Sequence, residues 1–376
     1  MLKSGKKLMA LCLSVLLILS SLAACSESSV TTPDQQQKAN ENVPNSQPAQ
    51  TPTVATGEKE ETEPVATEPK SNEPEEEKKV LRVITIGHSL AVDCGNTLNR
   101  IFAAEGTGEY DEVYIATLYY SGCPLYKHVN YLTQNAPEYN LYISSSTTPD
   151  NPPTIMDNVT MYDALRFAYW DIVIMQGGVF EIGISSTYTD GNIQIIQNYV
   201  RDNCMNPDPV FAWHMAWATP TDNTLRDMYP KSPNTYYSSY EKFGSSRTNF
   251  YNCIAQCVED HILTDETFQF MIPAGTALEN ALSSYLEEND IHRDYAHASD
   301  YGRVIASYVW YCRIMGVEQI SEVKMDTVPV QFLKKKENGD LVLTQAQKDI
   351  IIESVNNALS NPVEMTQSQY TEAPAQ

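Results

Sequence analysis

Several features that mark common protein classes are missing from this chain of 376 residues. It has no Cys-x-x-Cys pair and no His-x-x-x-His or His-Glu-x-x-His spacing, so the usual zinc-binding patterns are absent. It also has no basic stripe, and its formal net charge of −23 argues against nucleic acid as a partner. We therefore expect a protein without a metal ion or other cofactor and without a nucleic-acid function.

The one long apolar run of the chain lies near its N-terminus. Three lysines precede apolar residues 8–19, a run too short to span a bilayer comfortably, and Leu-Ala-Ala then leads into Cys25. This pattern resembles the lipobox of bacterial lipoproteins. The resemblance implies a signal peptide over residues 1–24 and an extracytoplasmic protein that a lipidated Cys25 anchors to the membrane. An ordinary signal peptide with an incidental cysteine is the alternative.

The rest of the chain divides by composition. Residues 25–79 hold the cysteine and an acidic, proline-rich stretch that is almost empty of large apolar side chains, so we expect a disordered linker. Residues 80–361 have the length of one large domain, and residues 362–376 are expected to form a flexible tail. Six cysteines fall in the domain, an even number that permits disulfides without defining their pairing.

Apolar runs alternate with helical patterns along the domain. The expected strands cover residues 81–86, 112–118, 172–175, 210–214 and 268–272, and the expected helices cover residues 97–105, 161–169, 191–203, 245–259, 276–286 and 344–359. Such alternation predicts an α/β fold, a three-layer α/β/α sandwich with a central, mostly parallel five-stranded sheet. Residues 130–159 lack a clear period and are expected to form a surface loop near the site.

Two segments of the predicted domain carry the residues of covalent acyl transfer. Ser89 follows the first strand in the string Gly-His-Ser-Leu, so it lies at the carboxyl end of the sheet, where ligands bind in open α/β folds. Asp294 and His297 stand three residues apart near the end of the domain. A hydroxyl, an imidazole and a carboxylate are the minimum set for a nucleophilic triad.

These strings resemble the conserved blocks of SGNH (GDSL-type) hydrolases. Gly-His-Ser89-Leu is similar to their first block, Asp294-x-x-His297 to their last, and Gly122 occupies the place of the second-block glycine. The third block departs from the family, because Gln176 stands where asparagine is usual, as in one uncharacterised bacterial branch. The resemblance implies a flavodoxin-like SGNH fold over nearly all of residues 80–361. It also implies an oxyanion hole from the amides of Ser89 and Gly122 with the side chain of Gln176.

Each candidate also has a structural interpretation. Ser89 and Asp294 are also suited to capping helices, and His297 to packing on the core, in which case His292 is a rival for its role. His88, His128 and His214 are possible pocket residues, and the alternative for them is a place in the core, which we favour for His214. The tyrosine-rich stretch over residues 220–248 suits either aromatic packing or carbohydrate contact.

The function expected from these patterns is that of a membrane-anchored esterase. Its substrate would be an acylated carbohydrate, in which the enzyme cleaves the ester bond of an O-acetyl group, or another small ester. The alternative is a catalytically silent glycan-binding lipoprotein on the same fold, which the departure in the third block and the tyrosine-rich stretch favour.

Overall fold

A computed structural model of the chain describes residues 78–220, 242–244, 246–328 and 340–374. The predicted signal peptide, Cys25, the linker up to residue 77 and most of the tyrosine-rich stretch lie outside these residues. Within them, no helix has both the length and the apolar character needed to cross a membrane.

The described domain is built on one seven-stranded sheet in the order β4-β3-β2-β1-β5-β6-β7. The strands are β1 Val80–Gly87, β2 Glu112–Tyr119, β3 Tyr139–Ser145, β4 Thr154–Val159, β5 Ile172–Met175, β6 Val210–His214 and β7 Phe270–Ile272. The five strands β2, β1, β5, β6 and β7 are parallel, and β3 and β4 are antiparallel additions at one edge. Two further strands, β8 Thr327–Val328 and β9 Leu341–Val342, form a separate antiparallel ribbon.

Helices connect the parallel strands and cover the sheet. They are α1 Ser89–Glu105, α2 Leu125–Gln134, α3 Met161–Phe167, α4 Ser186–Thr189, α5 Asn192–Asn203, α6 Arg247–His261, α7 Ala274–Leu282, α8 Glu288–Ile291, α9 Asp300–Met315 and α10 Gln345–Ser360. Helix α9 packs on α1, α7 and α10, whereas α5 packs on α2, α3 and α4, and α6 contacts one helix of each set, α7 and α4. The central strand β1 is buried on both faces over most of its length, which accounts for its nearly continuous run of apolar residues.

The order of the parallel strands positions a site. Beyond β1 the chain adds β2 on one side, then returns to add β5 on the other, so the connections after β1 and β5 diverge. In open α/β sheets a crevice forms at this switch point, outside the carboxyl ends of the strands. Ser89 follows β1 and Gln176 follows β5, and both therefore flank the crevice.

The prediction of five strands was wrong, because β3 and β4 lie in the segment that was expected to be a loop. In β3, residues Tyr139, Leu141 and Ile143 alternate with less buried neighbours, which gives a period of two. The run covers only seven residues, which is too few for this period to be recognised beside a proline-rich turn. In β4, only Val159 is buried, so the strand lacks an apolar pattern. The Ser/Thr/Pro cluster between them is the turn of a hairpin.

The C-terminal segment also differs from the expected flexible tail. The amide of Thr366 donates to Asn280 Oδ1 over 2.7 Å, and the amide of Gln369 donates to Glu353 Oε1 over 2.9 Å. The carbonyl of Tyr370 accepts a hydrogen bond from the Tyr285 amide. The residues after α10, up to Tyr370, therefore form a strap against α7 and α10. Polar contacts hold this strap, and composition does not reveal them.

Several cysteines of the domain are buried thiols. Cys94, Cys123, Cys204, Cys257 and Cys312 are free in the structure. Burial raises the pKa of Cys123, Cys257 and Cys312 to about 12, so these three side chains behave as small apolar residues.

The first turn of α9 gives a test of how closely this helix packs against the end of α8. Gly302 lies so close to the carbonyl of Ile291 that a Cβ at position 302 would overlap it. Alanine normally stabilises a helix interior by about 1 kcal/mol relative to glycine, but here the overlap with backbone reverses the sign. We expect Gly302→Ala to lower the free energy of unfolding by about 2 kcal/mol, measured by urea denaturation. An unchanged or raised midpoint would show that α9 can move away from α8.

Candidate active site

The turn after β1 carries the candidate nucleophile. Ser89 is the first residue of α1, and His88 is its N-cap in extended conformation. His88 Nδ1 accepts a hydrogen bond from the Leu90 amide, and Nε2 lies 2.8 Å from the carbonyl oxygen of Gly177. The two contacts define a neutral ring with its proton on Nε2, in keeping with a pKa that burial lowers to about 4. His88 thus fixes the start of α1 and joins it to the loop after β5.

The structure brings Ser89, His297 and Asp294 into one hydrogen-bonded chain. Ser89 Oγ lies 2.7 Å from His297 Nε2, although 208 residues separate the two. His297 Nδ1 lies 2.9 Å from each carboxylate oxygen of Asp294. A carboxylate can only accept, so the ring donates from Nδ1 and leaves the lone pair of Nε2 facing the serine hydroxyl. This is the tautomer that a general base requires.

Asp294 is held in its ionised form. Burial by itself raises the pKa of Asp294, but the hydrogen bond from His297 and those from the amides of Ala296 and His297 outweigh it, and the pKa falls below its usual range. Both amides donate to Oδ1 over 2.9 Å. A negative charge so placed orients the imidazole through its Nδ1–H.

Two backbone amides near Ser89 are suited to bind an anion. The Ser89 amide is at the first position of α1, where a helix provides no internal acceptor. Gly122 lines the cavity in front of Ser89 that is described below. It has a φ of +58°, a left-handed conformation that glycine adopts without steric cost. Across the described residues, no group of three or more His, Cys, Asp or Glu side chains is arranged to hold a metal ion.

Gln176 lies behind the turn. Its side chain is fully buried and packs so closely on Gly87 that a Cβ at position 87 would overlap the amide nitrogen. Gln176 Oε1 lies 2.9 Å from His214 Nδ1, while Nε2 has no hydrogen-bond partner among the described residues. Gln176 is not among the residues that line the cavity in front of Ser89.

A cavity of about 700 Å³ opens in front of Ser89 and His297. This volume lies within the range of small-molecule sites, about 300–1,000 Å³. Aromatic rings contribute much of its lining, and the residues concerned are Tyr119, Tyr126, Phe180 and Tyr295. Phe180 and Tyr295 stack with their ring centroids 6.4 Å apart. Glu181 and Lys242 add charged groups to the lining.

The comparisons with known proteins assign the chain to a family. A family model described as a domain of unknown function, DUF4886, matches residues 82–332. The chain belongs to the DUF4886 family. No curated protein matches it.

Two solved structures resemble this DUF4886 protein. The crystal structure of a DUF4886 family protein from Bacteroides uniformis ATCC 8492 matches with a TM-score of 0.61 and 21% identity, over 78% of this chain and 100% of that one. This similarity shows a shared fold. A protein from Slackia heliotrinireducens, described as a candidate SGNH hydrolase, matches with a TM-score of 0.36 and 14% identity, over 61% of this chain and 97% of that one. That likeness is too distant to support an argument.

The three histidines considered for the pocket of the DUF4886 protein lie elsewhere. His88, His128 and His214 are at most 1% exposed, and none of them lines the cavity at Ser89. His128 Nδ1 lies 2.9 Å from the Tyr139 hydroxyl, and His214 supports Gln176. Burial lowers the pKa of His128 and of His214 to about 3, so both are neutral core residues. A histidine at the end of a strand has the same sequence pattern whichever way its ring points.

Sequence reasoning missed the residues that shape the cavity. Phe180 and Glu181 belong to the loop that follows β5, which has no periodic pattern. Tyr295 lies between Asp294 and His297, so its place in the Asp-x-x-His string could have identified it.

Burial raises the pKa of Glu181, and the charge of Lys242 opposes that shift.

The buried histidines predict the response of the DUF4886 protein to acid. His88 and His292 have pKa values of about 4, and His128 and His214 of about 3, against about 6.5 in an unfolded chain. Below pH 6.5 these four rings bind more protons in the unfolded state than in the folded state, so the stability that they contribute is lost as the pH falls from 6.5 towards 4. Glu279 opposes part of this loss, because burial raises its pKa to about 7 and the folded state then binds the proton more tightly. With four such groups, the slope reaches at most about 5 kcal/mol per pH unit.

Urea denaturation at pH 7, 6 and 5 in 0.5 M salt measures this effect. The salt matters because neutralising carboxylates on a chain with a net charge of −23 relieves repulsion, which acts in the opposite direction. We expect the unfolding midpoint to fall at each step. Equal midpoints at pH 7 and pH 5 would mean that the four rings accept protons in the folded state.

Proposed function

We propose that this DUF4886 protein is an SGNH-type serine hydrolase that cleaves carboxylic esters. The observation that carries the proposal is the hydrogen-bonded chain from Ser89 Oγ through His297 to Asp294, at the mouth of a ligand-sized cavity. The strand order agrees with the flavodoxin-like three-layer sandwich of that superfamily, and the site lies at its switch point. We place the domain outside the cytoplasm, tethered by a lipid on Cys25.

The chemistry begins with attack on the ester carbonyl. Ser89 Oγ bonds to the carbonyl carbon as its proton passes to His297 Nε2, and Asp294 stabilises the imidazolium that results. The tetrahedral intermediate collapses, and the leaving alcohol takes the proton back from His297. A water molecule then repeats the sequence on the acyl-enzyme, releasing the carboxylic acid and restoring the Ser89 hydroxyl.

The oxyanion that forms in each half of the reaction needs hydrogen-bond donors. The amides of Ser89 and Gly122 are available at the cavity, and we propose the Gln176 side-chain amide as the third donor. An unpaired buried donor costs about 1–3 kcal/mol, and the oxyanion is the acceptor that would satisfy Nε2. Because Gln176 lies behind Gly87, its side chain must rotate to reach the oxyanion.

The lining of the cavity supports an acylated carbohydrate as the substrate. The cavity, about 700 Å³, is far larger than an acetyl group and leaves room for the alcohol portion of the ester. Aromatic rings offer flat apolar surfaces to sugar faces, and Tyr126 is half exposed at this cavity. Glu181 is suited to accept hydrogen bonds from hydroxyl groups. An O-acetyl group on a glycan fits this combination.

The test of the hydrolase compares the protein with two serine variants. Ser89→Ala removes the nucleophile and should abolish release of p-nitrophenol from p-nitrophenyl acetate. Ser246→Ala is the matched control, since Ser246 caps α6 outside the cavity, and it should retain full activity. A fluorophosphonate probe should label a peptide that contains Ser89. Equal traces of hydrolysis in wild type and Ser89→Ala, with retained glycan binding, would favour the catalytically silent binding protein instead.

The third oxyanion donor has its own test. We expect Gln176→Ala to lower kcat by roughly a hundredfold or more, because one such donor contributes about 3 kcal/mol to transition-state binding. Gln197→Ala serves as control, since Gln197 is equally buried but bonds to Thr267, away from the cavity. If both variants keep wild-type kcat, Gln176 plays no part in the reaction.

A further inference from the structure

A second carboxylate lies one helical turn beyond the proposed nucleophile. Asp93 shares a face of α1 with Ser89, and it is buried. Its Oδ1 accepts a hydrogen bond from Arg293 Nη1 over 2.9 Å. Its Oδ2 accepts one from the amide of Ala298 over 3.2 Å. Asp93 does not line the cavity at Ser89, so it does not contact substrate there.

The two partners of Asp93 bracket the segment that carries the acid–base residues. Arg293 directly precedes Asp294, and Ala298 directly follows His297. The segment is closed on itself, because the Arg293 amide donates to the His297 carbonyl over 3.0 Å and Arg293 Nη1 also contacts the Ala298 carbonyl. One carboxylate on the nucleophile helix therefore holds both ends of this loop.

We propose that Asp93 and Arg293 are positioning residues, which lock the loop 293–298 onto α1 and so set the 2.7 Å contact between Ser89 and His297. This inference rests on the proposed hydrolase function. A displacement of about 1 Å between reacting groups can cost about a hundredfold in rate, so a device that fixes their separation has a large effect on kcat.

The charges around Asp93 agree with this role. Arg293 Nε lies 3.8 Å from Asp294 Oδ2, so the guanidinium group stands beside both carboxylates. Burial raises the pKa of Asp93, and the charges of Arg293, His297 and Arg303 oppose that rise. An imidazolium formed at His297 during the reaction would thus interact favourably with Asp93 as well as with Asp294.

Helix α1 is itself fixed at the same point. Arg303 of α9 donates from Nε to the Asp93 carbonyl over 3.2 Å and from Nη2 to Thr97 Oγ1 over 3.1 Å. The same guanidinium binds Asp300 Oδ1 over 3.0 Å. The loop is therefore anchored to a helix that Arg303 in turn ties to α9.

A buried ion pair is by itself weak evidence of a role, because its desolvation can offset its attraction. The experiment therefore needs a pair of equal burial elsewhere. Arg247 and Glu279 form one, since the two side chains are 19% and 3% exposed, the same values as Arg293 and Asp93. Glu279→Gln is the control for the general cost of breaking a buried pair.

The test compares Asp93→Asn with Glu279→Gln, using p-nitrophenyl acetate kinetics and the downfield proton resonance of His297 Nδ1–H. Asparagine keeps the shape of the side chain but removes its charge. We expect Asp93→Asn to lower kcat at least tenfold with KM within about twofold, and to shift or broaden the His297 resonance. Glu279→Gln should leave kcat and the resonance unchanged, even where both variants lose similar stability.

Other outcomes decide against the proposal. Wild-type kcat and an unchanged resonance in Asp93→Asn would overturn it, as would an equal loss of kcat in the control. If Asp93→Asn does not fold, Arg293→Lys carries the same expectations, because lysine keeps the charge but lacks the planar guanidinium group that bonds to both Asp93 and Ala298. Absence of Ser89-dependent hydrolysis in the wild type would refute the proposed function, while the His297 resonance would still report on the lock.

Discussion

The 2.7 Å contact between Ser89 and His297 forms only if two segments that are far apart in the sequence are brought together accurately. Two segments 208 residues apart must meet at one edge of the sheet with an error well below an ångström. Ser89 is placed by β1, a strand with parallel neighbours on both sides, and by a helix that begins at the serine itself. His297 belongs to a loop and has no such support of its own. The contacts between that loop and α1 therefore provide what the secondary structure does not.

The polar groups behind Ser89 form a buried layer at the carboxyl edge of the sheet. His88 binds the carbonyl of Gly177, Gln176 binds His214, and both imidazoles are kept neutral by burial. Uncharged rings can support the turn without adding a positive charge, which would repel a positive charge on His297. The cost of this arrangement, among the residues that the structure describes, is an amide nitrogen on Gln176 and ring nitrogens on His128 and His214 that have no hydrogen-bond partner. Active sites commonly concentrate such unsatisfied groups.

Much of this arrangement is visible in the sequence, and what is not visible has specific causes. The five parallel strands are predictable because burial on both faces demands continuous apolar runs. The start of α1 was placed at residue 97 and not at Ser89, because Gly95 and Asn96 interrupt the pattern of a helix whose packing on α9 overrides their low propensity. Asp93 and Arg293 carry no recognisable motif. Their partnership exists only once the ends of the domain meet, and no local pattern encodes a contact across 200 residues.

The strap after α10 has a consequence for how small the domain can be made. Asn280 is 1% exposed, and its side chain spans α10 and the strap, donating to the Ser354 carbonyl and accepting from the Thr366 amide. The side chain of Ser283 is held by the same segment, through the amide of Ser368. A version of the chain trimmed after its last helix would remove one hydrogen-bond partner from the buried Asn280 side chain and one from the partly buried Ser283. The minimal autonomous unit thus reaches to about Tyr370, where the final backbone bond joins the strap to Tyr285.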